Sequence, residues 1–357
     1  MSKYNPSDLR AFCRNILVQE GMSIEHAEIV CDSLVKASLQ GVDSHGISRF
    51  PIYIKRFIDK RINISPDIQL EKSGDSVLLV KGDNGLGHIV AHQAIKKGID
   101  MAKKTGTVSI AIRNSNHFGA ASYFCELACE QNLACIGFTN SPPGIAPWGG
   151  KSAFFGTNPI AFGFPTGNEK PVIIDLSTSV VARGKIITAA KQGIKIPENW
   201  AIDEHGISTI EPGVALKGSV LPLGGAKGSA LALAVEILTG VLSGATPSSQ
   251  VKNIYNDDET GSANVGHFFI LIDITKFMSM DVFLTLIQSL LGEMKSTSRI
   301  VEQEEIRYPG ERRVREESIR KTEGIEVTGN IKKELISLGE KFNLPFPEPI
   351  KNTIKVI

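Results

Sequence analysis

Polar clusters follow three apolar, strand-like runs of the sequence, at the points where those runs end. His117 lies in the first cluster, Asn116-His117-Phe118-Gly119, while Asn140-Ser141 and Asp175-Leu176-Ser177 form the second and third. Ligands of open α/β sheets bind beyond the carboxyl ends of strands, so the three clusters predict a single binding site. A histidine at such a position can exchange a proton near neutral pH without special tuning.

A second candidate set, Ser44, His45, Arg49 and Tyr53, follows a helix that the sequence pattern ends at Gly41. His45 and Arg49 are four residues apart and would share a face if this segment is helical. Oxidation of an alcohol needs a base with a pKa near neutral, for which histidine is suited, and an arginine can bind an α-carboxylate through two hydrogen bonds. These residue types predict chemistry at an alcohol or carbonyl carbon beside a carboxylate.

Nucleotide-binding fingerprints are absent from the sequence in their usual form. Neither G-x-G-x-x-G nor G-x-x-x-x-G-K-[ST] occurs, and the glycines at residues 82–87 have the spacing of an ordinary turn between a strand and a helix. Residues 224–228 begin an apolar helix and place Lys227 beside glycine-rich backbone. A helix N-terminus favours anions, so this segment could hold a phosphate.

His88 and His92 have the i, i+4 spacing of some metal ligands, but no acidic or thiol ligand accompanies them at the spacing of a zinc site. We interpret both as surface or interface residues of a helix and predict no metal site. A metal-dependent hydrolase that uses His88, His92 and His117 is the alternative that these histidines leave open. The charged run at residues 302–320 carries both signs and is predicted to be solvated surface.

The composition of the 357-residue chain is that of a protein with a sizeable core, since 42% of the residues are hydrophobic and 22% are charged. The formal net charge of +1 provides no broad attraction to nucleic acid or to a membrane. The five cysteines are an odd number without a CxxC pair, which favours a reducing compartment. No apolar leader begins the sequence and no run is long enough to span a membrane, so we expect a cytoplasmic protein.

Strand and helix patterns alternate along most of the chain, which is typical of the α/β class. We expect three regions: an N-terminal helical segment (1–75) that packs with the C-terminal part, a nucleotide- and substrate-binding α/β region (76–265), and a C-terminal strand and helices (266–357) that complete the first domain. The polar stretch at 244–266 is long for a loop inside a compact protein. We expect this loop to exclude water from the site.

Six segments resemble the motifs of the type-2 malate/L-lactate dehydrogenase family, in the same order and over nearly the whole chain. They are DSHGISRFPIY (43–53), NSNHFGAASYF (114–124), TNSPPGIAPWGG with FGTNPIAFGFP (139–165), IIDLSTSVVARGKI (173–186), LPLGGAKGSALALAVEILTGVLSGA (221–245) and RYPGERR (307–313). That family includes ureidoglycolate and sulfolactate dehydrogenases and the diketogulonate and piperideine-2-carboxylate reductases.

The resemblance implies a homodimer with a non-Rossmann nucleotide-binding fold, a mixed sheet and helical N- and C-terminal segments. It also implies hydride transfer between NAD or NADP and a small carboxylate substrate, a 2-hydroxyacid or 2-oxoacid. By the same resemblance, His45 and His117 lie at the reacting carbon, and Ser44, Arg49 and Tyr53 hold the substrate. The positions that match cofactor-binding residues of the family are Ser141, Asp175, Leu176, Ser177, Lys227, Gly310, Glu311 and Arg312.

Which histidine exchanges the proton stays open at this point, and His117 is preferred because the neighbouring Gly119 would let a nicotinamide ring approach closely. The substrate stays open among malate-, lactate-, sulfolactate- and ureidoglycolate-like acids. Two alternatives are a reductase of a cyclic imino acid such as piperideine-2-carboxylate and a non-catalytic nucleotide-binding homologue. One departure from the family is Ser229, which stands where many members have a tyrosine.

Overall fold

The computed structural model describes residues 2–167, 170–256, 261–302 and 304–350. The α-helices, in chain order, are α1 (Pro6–Gln19), α2 (Ile24–Leu39), α3 (Phe50–Ile58), α4 (Gly87–Thr105), α5 (Ala121–Cys129), α6 (Arg183–Gln192), α7 (Pro212–Ala215), α8 (Ala226–Glu236), α9 (Met280–Ser296), α10 (Glu311–Glu323) and α11 (Gly329–Lys341). The strands are β1 (Ser2–Tyr4), β2 (Gln69–Gly74), β3 (Val77–Lys81), β4 (Thr107–Ser115), β5 (Leu133–Thr139), β6 (Ile160–Phe164), β7 (Val172–Leu176), β8 (Ala201–Ile202), β9 (Ser208–Thr209), β10 (Ser219–Val220), β11 (Val265–Asp273) and β12 (Ile325–Val327).

A seven-stranded sheet has the strand order β2-β3-β4-β11-β5-β6-β7. β3 and β4 are parallel, and the other neighbouring pairs of this sheet are antiparallel. The sheet is therefore mixed, and the predicted α/β class without a Rossmann fingerprint is confirmed. β11 comes from late in the sequence and lies between β4 and β5, so the segments that follow those two strands flank the same strand.

The chain forms two compact units, one made of residues up to Ser65 and from Leu290 onward, the other of Pro66–Ser289. The sequence placed these boundaries near residues 75 and 265. The difference arises because β2 and β11 both pair within the seven-stranded sheet, which assigns residues 66–75 and 266–289 to the second unit.

The first unit begins with a capped helix. The Asn5 side chain accepts a hydrogen bond from the N–H of Ser7 at 2.8 Å, and Pro6 opens α1. β1 pairs with β12, which joins the N-terminal and C-terminal segments of this unit. α10 overlaps the charged run, residues 302–320, that was predicted to be solvated surface. That prediction is wrong for Glu317, which is buried.

The core of the second unit lies between the sheet and helices α4 and α5. Alternate residues of β4, Val108, Ile110 and Ile112, are buried there, as the two-residue period of a strand requires. Gly98 of α4 lets the helix approach, because a Cβ there would lie 2.4 Å from Cδ1 of Ile110. A separate three-stranded sheet has the order β10-β8-β9.

A π-helix, Ile237–Leu242, continues α8, and 3₁₀ turns cover Asp43–His45, Ile47–Arg49, Ser248–Gln250 and Ile274–Lys276. In the part of the chain that the structure describes, no helix combines the length and the apolar character needed to cross a bilayer.

Candidate functional site

The carboxyl ends of β4, β5 and β7 lie at one edge of the seven-stranded sheet. Ile160, the first residue of β6, pairs with the penultimate residue of β5 and with Leu176 at the end of β7. The first residue of β11 pairs with Ser115 at the end of β4, and its third residue pairs with Thr139 at the end of β5. The three polar clusters of the sequence are therefore brought to the same sheet edge.

Asn116, which precedes His117, ties this strand end to the turn between β3 and α4. Its buried Nδ2 donates to the main-chain oxygens of Asn84 and Gly85, at 2.9 and 3.0 Å. Residues 82–87 thus form the ordinary strand-to-helix turn that the sequence predicted, and this turn holds the segment that carries His117.

The space beside Gly119 is occupied by a buried imidazole. Gly119 has a φ of +77°, and a Cβ there would lie 2.5 Å from Nε2 of His88. His88, in the first turn of α4, is fully buried, so its interpretation as a surface or interface residue is wrong. The glycine makes room for His88, which removes the argument that preferred His117 over His45 as the proton-exchanging residue.

His117 is half-buried, and its Nδ1 accepts a hydrogen bond from the main-chain N–H of Gly119 at 3.3 Å. A ring nitrogen that accepts a hydrogen bond carries no proton, so this contact favours the neutral ring with its proton on Nε2. The geometry thus suits His117 to donate a hydrogen bond through Nε2.

The segment that carries His45 turns sharply after α2. Two 3₁₀ turns, Asp43–His45 and Ile47–Arg49, take the place of the continuous helix that would put His45 and Arg49 on one face. A Cβ on Gly46 would lie 2.0 Å from Oγ of Ser38, and this oxygen accepts a hydrogen bond from the N–H of Ile47 at 2.9 Å. Close approach to α2 is the reason for a glycine here.

His45 is held by a hydroxyl, since its Nδ1 lies 2.9 Å from Oγ of Ser44. A hydroxyl can donate to the neutral ring or accept from the protonated ring, so this contact tolerates both charge states. Nε of Arg49 donates to the main-chain oxygen of Ser44 at 2.5 Å, which orients the guanidinium. Burial lowers the pKa of Arg49, against the opposing influence of Tyr53, but an arginine remains cationic at neutral pH.

Tyr53 lies on α3 and is only 1% exposed. Burial raises the pKa of its hydroxyl, and the positive charge of Arg49 opposes that rise. The tyrosine is therefore neutral, and electrostatic interaction links it to Arg49 within the first unit.

An ion pair braces the same segment from α10. Arg320 donates to the two carboxylate oxygens of Asp43 at 2.6 and 3.2 Å and to the main-chain oxygen of Ser38 at 2.7 Å. The interaction with Asp43 raises the pKa of Arg320. Arg320 is the last residue of the run that the sequence assigned to solvated surface, and its side chain is 21% exposed.

The candidate cofactor residues at the sheet edge also make structural hydrogen bonds. Oγ of Ser141 accepts from the N–H of Thr157 at 3.0 Å. Oδ2 of Asp175 accepts from the N–H of Ser122, in the first turn of α5, at 3.2 Å. Leu176 is exposed and Ser177 is half-buried. These interactions fix the ends of β5 and β7, whether or not a cofactor is bound.

Lys227 lies exposed in the first turn of α8. Gly224 and Gly225 before it have φ values of +60° and +66°, and a Cβ on Gly225 would lie 2.9 Å from the ring of Trp148. Oγ of Ser229 accepts a hydrogen bond from the main-chain N–H of Trp148 at 3.0 Å. Ser229, which replaces the tyrosine of many family members, thus holds an aromatic residue that covers the helix entry.

The third set of candidate cofactor residues begins α10 in the first unit. Gly310 has a φ of +111° and Arg312 is exposed. The Glu311 carboxylate accepts from the N–H of Tyr308 at 2.9 Å and pairs with Lys295. Glu311 therefore closes the turn that starts the helix. This structural role explains why a glutamate stands here, even if it binds no cofactor.

Two features of the site were not identified from the sequence. His267 lies inside β11 with both ring nitrogens bonded to hydroxyls at the sheet edge, and its one signal was a histidine at the start of an apolar strand. Arg320 was hidden in a run of mixed charges. In the described ranges, no group of three or more His, Cys, Asp or Glu side chains could hold a metal ion.

Comparison with known proteins identifies the family of this chain. The family model for malate/L-lactate dehydrogenase matches residues 4–336. The malate/(S)-sulfolactate dehydrogenase of Methanothermus fervidus is 39% identical over 340 residues, which covers 95% of this chain and 98% of the relative. The solved structure of sulfolactate dehydrogenase from Methanocaldococcus jannaschii has a TM-score of 0.90 and 38% identity, and covers 96% of this chain and 98% of that one.

The names of more distant relatives include both nicotinamide cofactors. A (2R)-3-sulfolactate dehydrogenase (NADP(+)) of Chromohalobacter salexigens is 38% identical over 80% of this chain and 83% of its own length. A ureidoglycolate dehydrogenase (NAD(+)) of Escherichia coli is 31% identical over 94% of this chain and 95% of its own length. The match of the family model over most of the chain, together with these relatives, establishes that the chain belongs to the malate/L-lactate dehydrogenase family.

Proposed function

We propose that this NAD(P)-dependent dehydrogenase transfers hydride between the nicotinamide and C2 of a small 2-hydroxyacid or 2-oxoacid. The observation that carries the proposal is the sheet edge of the second unit, where the His117 segment, Ser141 and the residues after β7 lie together. The family that matches over most of the chain acts on substrates of this class. A nicotinamide cofactor, when bound, supplies or accepts the hydride.

The two candidate histidines have different roles in this proposal. In the reducing direction, His45 transfers its proton to the substrate oxygen, because the hydroxyl of Ser44 can follow its change of charge. His117 stays neutral and donates a hydrogen bond from Nε2, which suits it to stabilise negative charge that develops during the reaction. Oxidation of the hydroxyacid reverses both steps.

Arg49 binds the substrate carboxylate in this proposal. Its Nε contact with the main-chain oxygen of Ser44 fixes the guanidinium plane, and a fixed fork suits a carboxylate better than a flexible ammonium does. The buried Tyr53 interacts electrostatically with Arg49, and Ser44 orients His45.

The anionic part of the cofactor would be held where main-chain N–H groups and a cationic side chain can both contact it. Lys227 and the glycine-rich entry of α8 suit a phosphate, and Ser141, Asp175, Leu176 and Ser177 line the ends of β5 and β7. Arg312 supplies a second exposed cation, next to Gly310 and Glu311.

Substrates with a second anionic group are the ones that the relatives' names favour, so we propose oxaloacetate or sulfopyruvate over pyruvate. The test is a panel of 2-oxoacids and cyclic imino acids, each assayed with NADH and with NADPH through the absorbance of the reduced nicotinamide. We expect the highest kcat/KM for a 2-oxoacid that carries a second acidic group.

Other outcomes of the panel would replace the proposal. Turnover of piperideine-2-carboxylate but of no 2-oxoacid would establish the cyclic imine reductase. Nucleotide binding without turnover of any compound in the panel would establish a non-catalytic homologue.

We also propose that the chain acts as a homodimer. Leu233, Ile237 and Val241 recur every four residues along α8 and the π-helix, and they are 48%, 49% and 68% exposed. A second apolar row on α9, Val282 and Leu286, is 50% and 56% exposed. Exposed apolar rows of this kind mark protein–protein contact, and a second copy would cover them.

Val241→Asp tests the dimer, with Ile24→Asp as the matched control, because Ile24 is a similarly exposed apolar residue (67%) outside both rows. Light scattering after size exclusion should give a dimer for the parent and for Ile24→Asp, and a monomer for Val241→Asp. A monomeric parent chain would contradict the proposal.

A cytoplasmic location is proposed on the state of the cysteines. The five cysteines are all free and all buried, which is the usage expected in a reducing compartment. Fractionation of the cells that produce the protein would test the location.

A further inference from the structure

His267 joins the ends of the two strands that carry candidate site residues. The imidazole is fully buried in β11. Its Nε2 lies 2.8 Å from Oγ of Ser115, the last residue of β4, and its Nδ1 lies 2.7 Å from Oγ1 of Thr139, the last residue of β5. One side chain therefore links three adjacent strands at the edge of the sheet, just before the segments that carry His117 and Ser141.

Both hydroxyls that meet the ring also lie near main-chain oxygens. Oγ1 of Thr139 lies 3.1 Å from the main-chain oxygens of Asn140 and of Gly266, and Oγ of Ser115 lies 3.4 Å from that of Asn116. Each hydroxyl can donate to a main-chain oxygen or to the ring, so the imidazole is hydrogen-bonded at both nitrogens in either neutral tautomer. Burial lowers the pKa of His267 to about 3, against a smaller opposing effect of the Asn116 carbonyl, so the ring is neutral.

The flat face of the same imidazole supports the residue next to His117. The ring of Phe118 stacks on His267 with a centroid distance of 4.4 Å and an interplanar angle of 5°. Phe118 is 2% exposed and also contacts Phe124, at a centroid distance of 4.9 Å. With Asn116 tied to the β3–α4 turn on the other side, His117 is flanked by two immobilised residues.

We propose that His267 is a positioning residue for the dehydrogenase reaction, which fixes Nε2 of His117 through Ser115 on one side and Phe118 on the other. The inference rests on the proposed function through the role given to His117. An imidazole suits this place because two in-plane nitrogens can meet hydroxyls on opposite neighbouring strands while the ring face stays flat for Phe118. Phenylalanine offers the face without the nitrogens, and glutamine offers polar atoms without an aromatic face.

His267→Phe is the first test, with Leu271→Ala as the matched control. Leu271 is a fully buried residue of the same strand, and it packs in the core beside Gly98 of α4. Both variants should lower the unfolding temperature. His267→Phe should lower kcat by about 10- to 100-fold with little change in KM, since small misplacement of a reacting group has an effect of that size. Leu271→Ala should keep kcat.

A double-mutant cycle separates positioning from a general loss of stability. If His267 acts through His117, then His267→Phe should cost little further kcat in a chain that already carries His117→Ala. Full additivity of the two losses would overturn the proposal, as would a folded His267→Phe variant with the kcat of the parent chain.

Two further measurements keep the test decisive. Ser115→Ala removes only one hydroxyl, so it should fold if His267→Phe does not, and it should give a smaller loss of kcat in the same direction.

The ring signals of His117, assigned in histidine-labelled protein by their absence from His117→Ala, should shift or broaden in His267→Phe. Unchanged His117 signals would overturn the positioning role even if no substrate were turned over, whereas shifted signals in an inactive parent chain would overturn the proposed function alone.

Discussion

The segments that carry His45 and His117 present the same side chain in two different settings. The His45 segment is braced by an ion pair whose side chains, Arg320 and Asp43, are 21% and 56% exposed. The segment around His117 is held by neutral groups in the core, with Phe118 at 2% exposure and His267 at none. One brace depends on charge near solvent, and the other depends on packing and directional hydrogen bonds.

The difference matches what each step of the proposed reaction requires. A proton-exchanging histidine must be stable in two charge states, and the hydroxyl of Ser44 adapts to both. A donor that stabilises charge on the substrate oxygen works best when it does not move, because its orientation is then established before the reaction. The comparison predicts that the two segments respond differently to substitution, pH and salt.

The largest expected effect comes from removing either histidine. His45→Ala should lower kcat by about 10²–10⁴-fold, the usual contribution of general acid–base catalysis, and His117→Ala by about 10²–10³-fold, as for loss of an oxyanion donor. The pH profile of kcat separates the two roles, because His45→Ala should lose the pH-dependent limb that belongs to proton exchange, whereas His117→Ala should retain it. A limb lost in His117→Ala and kept in His45→Ala would exchange the two assignments.

The pH dependence of stability probes the neutral brace. Burial lowers the pKa of His267 from 6.5 to about 3, so the unfolded chain binds more protons between these values and stability falls as the pH drops below 6.5. The contribution of one such group is about 1.4 kcal/mol per pH unit. His267→Phe should therefore show a shallower loss of unfolding free energy from pH 6.5 to 4 in urea titrations. His26, whose pKa burial also lowers, is present in both chains and cancels in the difference.

Glycine substitutions compare the space available in the His45 segment with that in the His117 segment. Gly46→Ala and Gly119→Ala should each destabilise the chain by about 1–3 kcal/mol, because a Cβ would lie 2.0 Å from Ser38 and 2.5 Å from His88. Ser38→Ala should recover only part of the loss at Gly46, because the main-chain N and Cα of Ser38 would still lie 3.0 and 3.1 Å from the added Cβ. His88→Ala should also recover only part of the loss at Gly119, because the positive φ there disfavours alanine even when space is available.

Gly213→Ala is the control for these two variants, since a Cβ there meets nothing within 4 Å. Denaturant unfolding should show no loss of stability for this control. Full recovery of stability by His88→Ala in the Gly119→Ala chain would mean that space alone, and not backbone conformation, sets the requirement at Gly119.

The smallest expected effect is that of the ion pair. Arg320→Gln should cost about 0.2–1 kcal/mol, the range of pairs near solvent, and the difference should shrink in about 1 M salt, where the screening length is about 3 Å. The loss of unfolding free energy caused by His267→Phe should be the same at low salt and at about 1 M salt. A salt-independent effect of Arg320→Gln would show that its bond to the main-chain oxygen of Ser38 matters more than its charge.

Local patterns were enough to predict most elements of this fold. The Asn5-Pro6 cap, the apolar stripes of α1 and α2 and the strand-like runs before the polar clusters all depend on neighbouring residues, so the sequence shows them directly. Motifs within single segments, such as Ser44-His45-Gly46, were also visible. α10 was missed because its charged sequence lacks an apolar stripe, and its place depends on contacts with α2.

What the tertiary structure alone decided is how those segments are held. His267 meets Ser115 and Thr139 across sequence separations of 152 and 128 residues, and Arg320 meets Asp43 across 277. Residue types and spacing identified the two histidines, but the partner on Nδ1 of each depends on the path of the backbone. The insertion of β11 between β4 and β5 places His267 beside the His117 segment, and no local pattern predicts which strands become neighbours, because strand pairing depends on the packing of the whole sheet.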